Sequence, residues 1–196
     1  MKVTGFKVKG NWIDVLNSAR STVGKDEVSK EPNSSWKARM ILAEHSPIRR
    51  LTISWKWVDL MYWVSVHFVR HKIGIEHFVK TQRSDRTGVL RYKSPQDTPV
   101  VHEVEANAQS LINISRKRLC HNASPETQEA WQKVLIEVEL KEPELFQACV
   151  PECVYRGFCP DMNTCGYSDT DKFHRQLQNY RAPVVDWRKE NGTQKM

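Results

Sequence analysis

Asn107-Ala108-Gln109-Ser110-Leu111-Ile112-Asn113-Ile114-Ser115-Arg116-Lys117-Arg118 reads as a helix with two unlike faces. Ala108, Ile112 and Leu119 fall at i, i+4 and i+11 on one side, and Leu111 and Ile114 widen that apolar stripe. Gln109, Asn113 and Lys117 follow at i, i+4 and i+8 on a separate polar face. Amide side chains one turn apart form a ladder of donors and acceptors. Such a ladder suits a heteroaromatic ring with mixed edges, such as a flavin or a pyrimidine. A plain solvated helix face has the same pattern in isolation, so the neighbouring motifs decide between the two.

Upstream stands Arg70-His71-Lys72, followed by Ser84-Asp85-Arg86. A guanidinium grips phosphate oxygens in pairs, and a nearby hydroxyl adds a hydrogen bond, so this pattern fits a phosphorylated ligand. Cations at a helix C-terminus are also favoured by the helix dipole, which by itself accounts for Arg70 and Lys72. Further upstream lies Glu44-His45-Ser46-Pro47.

Taken in order, these segments resemble the flavin-dependent thymidylate synthases. That family carries Arg-His-Arg followed by Ser-x-Arg, matched here by Arg70-His71-Lys72 and Ser84-Asp85-Arg86. Its downstream helix, Asn-x-Arg-x-Leu-x-Asn-Phe-x-x-x-Arg, is matched from Asn107 to Arg118. Its His-x-Thr/Ser-Pro segment resembles Glu44 to Pro47. The departures are specific. Lys72 gives a point charge where the family has a planar fork. Gln109 stands where the family has Arg. The segment Ile73 to Arg83 is longer than the family's loop, and Ile48-Arg49-Arg50 replaces Phe-Glu-His.

The resemblance implies an α+β fold, an antiparallel sheet packed with helices. It also implies reductive methylation of dUMP to dTMP, with FAD as cofactor and NADPH and methylenetetrahydrofolate as co-substrates. By position, Ser46, Arg70, His71, Lys72, Asn107, Gln109 and Asn113 are expected at FAD. Ser84 and Arg86 are expected on the nucleotide phosphate, and Arg118 on the pyrimidine as the catalytic group. The family's shared sites imply a homotetramer. Two other readings stay open. One is a related flavin- and folate-dependent pyrimidine modification, such as hydroxymethylation. The other is a nucleic-acid-binding protein with a cysteine-ligated zinc site.

Composition bounds these readings. At 196 residues with 39% hydrophobic and 27% charged residues, the chain is long and apolar enough for a globular core. No apolar stretch approaches a spanning helix, and Met1-Lys2-Val3-Thr4-Gly5 lacks a signal peptide's apolar run, so a cytoplasmic protein with no membrane partner is expected. The formal charge of +7 favours polyanionic partners, nucleotides and nucleic acid alike.

Along the chain, a strand is expected over Lys2 to Lys9 and a helix over Trp12 to Val23. Ser34 or Ser35 is expected to cap a second helix. Arg50 to Val58 alternates, with Leu51, Ile53, Trp55 and Trp57 on one side, and predicts a half-buried strand. A helix capped by Asp59 is expected to end at Val69, and Gly74 to break it. Ser124-Pro125-Glu126 predicts a helix start. Another start falls within Ser168 to Asp171, and residues 187–196 are expected to fray. Residues 1–145 form the expected core, with a Cys-rich segment, 146–196, packed on it.

Cys149, Cys153, Cys159 and Cys165 fall close together in that segment. Four such thiols suit tetrahedral Zn²⁺ or an iron–sulfur cluster, disulfides, or plain reduced thiols. The spacing does not choose among them. His71 belongs to the motif. His67, His102, His121 and His174 read as surface or packing residues.

Overall fold

The computed structural model describes residues 1–192. Its strands form a single antiparallel sheet in the order β1-β2-β4-β3: β1 (Lys2–Lys9), β2 (Thr52–Met61), β3 (Ile75–Val79) and β4 (Pro99–Asn107). Helices α1 (Trp12–Ser21), α2 (Ser34–Leu42) and α3 (Tyr62–Phe68) precede β3, and the single-turn α4 (Ser84–Thr87) follows it. After β4 come α5 (Ala108–Arg118), α6 (Pro125–Lys141), α7 (Pro143–Ala148), α8 (Glu152–Arg156) and α9 (Asp171–Asn191). The expected α+β class is what the chain adopts.

Alternation in β2 sets the layer. Ile53, Trp55 and Trp57 point to one face and are buried, whereas Ser54 and Lys56 point to the other. On the buried face Trp55 meets both Trp57 and Trp131 of α6 edge to face, with ring centroids 5.4 and 5.8 Å apart. The indole N–H of Trp57 donates to the Ala130 carbonyl (3.0 Å), and that of Trp131 donates to Ser115 Oγ of α5 (2.9 Å). The opposite face carries Lys56–Glu103 (2.9 Å) and Lys9–Glu105 ion pairs. Helices therefore cover one side of the sheet, and charged pairs line the other.

The structure corrects several element boundaries. The helix expected from Asp59 starts only at Tyr62. Asp59 instead sits in β2 at φ 59°, where the register to β4 shifts between Trp57 and Leu60. Asn33, rather than Ser34 or Ser35, caps α2 through its side-chain oxygen. The segment 73–83, expected as a loop, contains β3, and β4 precedes the α5 helix without an anticipated strand signal. The helix start at Ser124 is as expected, with Ser124 capping α6. Helix α9 runs on to Asn191, so the fraying expected from residue 187 is not seen through that residue. Residues 193–196 lie outside the described range.

The proposed metal ligands do not gather. Cys149 is 5% exposed and belongs to the main core, and burial pushes its thiol up to about 12. Cys153 borders a second small cluster of Val150, Val154, Tyr167 and Phe173, whereas Cys165 is exposed. Apolar burial thus takes Cys149 out of the set. Among the described residues no group of three or more His, Cys, Asp or Glu side chains is placed to hold a metal, and all five cysteines are free thiols. Also among the described residues, no helix is long and apolar enough to cross a membrane.

Candidate active site

The basic triplet and the polar helix do meet. Helix α3 ends at Phe68, and the chain turns with the His71 N–H donating to the Phe68 carbonyl (2.9 Å). The next turn is tied to the start of α5. Ser110 Oγ lies 2.8 Å from the Gly74 carbonyl, and the Asn107 N–H donates to that same carbonyl at 2.9 Å. Gly74 has φ +69°, and a Cβ there would stand 2.4 Å from Asn107 Nδ2, so the approach needs glycine twice over. The outcome is a concavity of about 290 Å³ lined by Arg70, His71, Lys72, Ile73, Ser110, Asn113 and Ile114.

Arg118 is bonded to one of these lining residues, His71. Its Nε donates to His71 Nε2 (3.1 Å), and its Nη2 donates to the His67 carbonyl. A guanidinium only donates, so His71 Nε2 is unprotonated and the ring proton is on Nδ1. Burial, then the Arg118 charge, push His71 down to about 4. Burial and the neighbouring Arg70 charge also lower Arg118. The site is cationic, with a neutral imidazole at its centre.

A second imidazole pair supports it from within the sheet. His77 Nε2 lies 2.9 Å from the His71 carbonyl, and His77 Nδ1 lies 2.9 Å from His102 Nε2. The carbonyl can only accept, so His77 carries its proton on Nε2. A single hydrogen bond between His77 Nδ1 and His102 Nε2 joins β3 to β4 behind that carbonyl. His102 is fully buried beside Trp57, and burial, then the His77 charge, push it down to about 3. His67 is lowered too, mainly by burial. The reading of His102 as a packing residue holds in part: it packs, and it also holds the turn that carries His71.

The other expected residues divide. Asn113 lines the concavity. Asn107 uses its side-chain oxygen to cap α5, accepting from the Ser110 N–H at 3.0 Å. Gln109 donates to Glu44 Oε2 at 2.5 Å. Ser46 is exposed in a short 3₁₀ turn, Ser46–Arg50. Ser84 and Arg86 lie beyond β3 on α4 and do not line the concavity. Ser84 Oγ accepts from the Arg91 N–H (3.0 Å). Asp85 pairs with Arg83 (2.9 Å) and lies 3.7 Å from Arg86. Glu44, Arg116, His77 and His102 were not anticipated. Glu44 alone left a trace, as the first residue of the Glu44 to Pro47 segment; the histidine pair is 25 residues apart and needed the β3–β4 register.

No protein-family model matches the sequence, and no curated protein matches it. The fold does have solved counterparts. The flavin-dependent thymidylate synthase ThyX of Helicobacter pylori, solved with FAD and dUMP, is 14% identical and superposes with a TM-score of 0.62 over 76% of this chain and 100% of its own. A second structure of that enzyme with FAD and dUMP gives 0.63 at 14% identity, over 76% and 99%. The UMP/dUMP methylase PolB of Streptomyces cacaoi, bound with 5-Br dUMP, is 12% identical and gives 0.58 over 80% and 96%. At such identities the likeness establishes the fold: this chain folds as the flavin-dependent thymidylate synthases do.

Proposed function

We propose that the chain is a cytoplasmic flavin-dependent enzyme that modifies dUMP. In the finer form of the reading it makes dTMP, with FAD as cofactor, NADPH as reductant and methylenetetrahydrofolate as carbon donor. One observation carries the reading. Arg70, His71 and Lys72 share a concavity with Asn113, and Arg118 is pinned beside them, on a fold shared with an enzyme solved with FAD and dUMP.

The residues suit such a cofactor in part. A concavity of about 290 Å³ can take a ring system but not a whole dinucleotide. The rest of the cofactor would lie on neighbouring surface, including that of further copies of the chain, in keeping with a homotetramer. Arg70 and Lys72 offer charge to phosphate, and Asn113 offers an amide to a ring edge. Bound flavin would supply the two-electron chemistry that these side chains lack. The chain's own task is positioning and charge. Arg118, held at Nε and Nη2, can polarise a pyrimidine carbonyl, and His71 stays neutral beside it. Asn107, Gln109 and Ser46 are assigned to the cofactor, and Ser84 and Arg86 to the nucleotide phosphate. Residues 1–145 are the catalytic core, and 146–196 is a segment packed on it.

Lys72, Gln109 and the longer segment 73–83, which depart from the resembled family, favour one second reading, with Gln109 tied to Glu44: a related modification of a pyrimidine nucleotide, such as hydroxymethylation. Incubation with dUMP, methylenetetrahydrofolate, NADPH and FAD, followed by mass analysis of the nucleotide, tests both. The gain of one methylene supports the first reading, and a further oxygen supports the second. Unchanged dUMP together with a protein that binds no flavin would sink the flavin reading.

A further inference from the structure

We propose that Glu44 and Arg116 are positioning residues that decide which end of the Asn113 amide faces the concavity; this deepens the flavin reading above and rests on it.

Asn113 Oδ1 accepts from two donors, Arg116 Nη1 at 3.2 Å and Gln109 Nε2 at 3.4 Å. Both donors are held by one carboxylate: Glu44 Oε2 accepts from Gln109, and Glu44 Oε1 accepts from Arg116 Nη2. The Arg116 side chain is 12% exposed, and its guanidinium carbon lies over the ring of Tyr155 of α8, 3.4 Å from the centroid. Two hydrogen bonds and this ring contact together hold the fork in place. With the oxygen taken, the atom left for the concavity is Nδ2, which only donates.

The neighbouring groups follow the same rule. Arg70 and Lys72 only donate, and the tautomer imposed by Arg118 leaves His71 with Nδ1–H. Apart from Ser110, whose hydroxyl proton goes to the Ile73 and Gly74 carbonyls, the polar side chains of the concavity thus meet a ligand as donors. Such a site selects an edge rich in acceptors, a carbonyl oxygen or an unprotonated ring nitrogen, as on the dione side of a flavin. Gln109, a departure from the resembled family, builds this arrangement together with Glu44 and Arg116.

The test is a double-mutant cycle on FAD affinity, read by titration of the flavin spectrum. Asn113→Ala weakens FAD binding, and Arg116→Met weakens it in the otherwise unaltered protein by at least about threefold. In the Asn113→Ala background, Arg116→Met has an effect under about twofold, because its route to the ligand is gone. Asn113→Asp keeps an acceptor for Gln109 and Arg116 but loses the donor. It therefore unfolds at the same temperature as the unaltered protein, yet binds FAD as poorly as Asn113→Ala does. Equal losses from Arg116→Met in both backgrounds would overturn the proposal, because they mark a merely structural role. Full FAD affinity in Asn113→Asp would also overturn it, by placing the oxygen at the ligand. Failure of the unaltered protein to bind FAD removes the flavin reading and this inference together, which separates that outcome from an additive cycle.

Discussion

Arg118 and Arg86 both carry a full charge, yet their settings differ. Arg118 is half-buried and held by two acceptors, one in the last turn of α3 and one just after it, whereas the Arg86 side chain is 69% exposed, with Asp85 its ion-pair partner. Arg86→Ala is expected to weaken dUMP binding roughly 10-fold or more through a lost charge-assisted contact, with FAD affinity unchanged. Calorimetric titration with each ligand checks this, and a variant that loses FAD instead reassigns Arg86 to the cofactor.

His71 and His102 have folded values near 4 and 3 against an ordinary 6.5. The unfolded chain therefore binds protons that the folded chain refuses. Stability is fully present above about pH 6.5 and falls as pH drops from 6.5 towards 3. Urea midpoints at stepped pH should show that slope, and His102→Asn should flatten it. An equal slope in the variant would move the cause elsewhere.

At the scale of elements, the junction of β3, β4 and α5 positions the site. The Gly74 carbonyl accepts from the Asn107 N–H, and a side chain at Gly74 would press on the Asn107 cap and on Ser110 Oγ, 2.7 Å away. Gly74→Ala should therefore cost more than about 1 kcal/mol, from positive φ together with the displaced cap. Denaturant unfolding measures it; a neutral change would mean that the turn relaxes without α5. The α5 helix was legible because its apolar stripe repeats at 3.6 residues, whereas Asn107, read as its first residue, proved to be its cap. Strand β3 was not: Ile75 to Val79 places Phe78, 61% exposed, out of phase with the buried Ile75, and charged neighbours interrupt the pattern. The start of α3 was misplaced because Asp59 has the chemistry of a cap, yet its backbone serves the irregularity in β2.

At the scale of the whole molecule, the sheet and the C-terminal helices meet at Trp131, which is fully buried against Trp55 and Phe68 and bonded to Ser115. Trp131→Ala should cost about 3–5 kcal/mol, a large share of the usual 5–15. It should loosen α5, and hence flavin binding, together with the core. Hydrogen exchange along α5 checks this, and protection there unchanged in a destabilised variant would uncouple core from site.

What the sequence determined by itself is local: the α5 helix with its amide face, the basic triplet after α3, the alternating β2 and the Ser124 start of α6. Each is fixed by periodicity, capping or charge over a few residues, and the motif order led to the right fold class. What only the tertiary structure decided is which of these groups meet. Cys149 went to the core because burying an apolar-lined thiol outweighs any pull from its sequence neighbours. Glu44 found Gln109 and Arg116 across 65 and 72 residues because half-buried charges must be paired. His77 met His102 only through the β3–β4 register, a long-range pairing that no short window of sequence records.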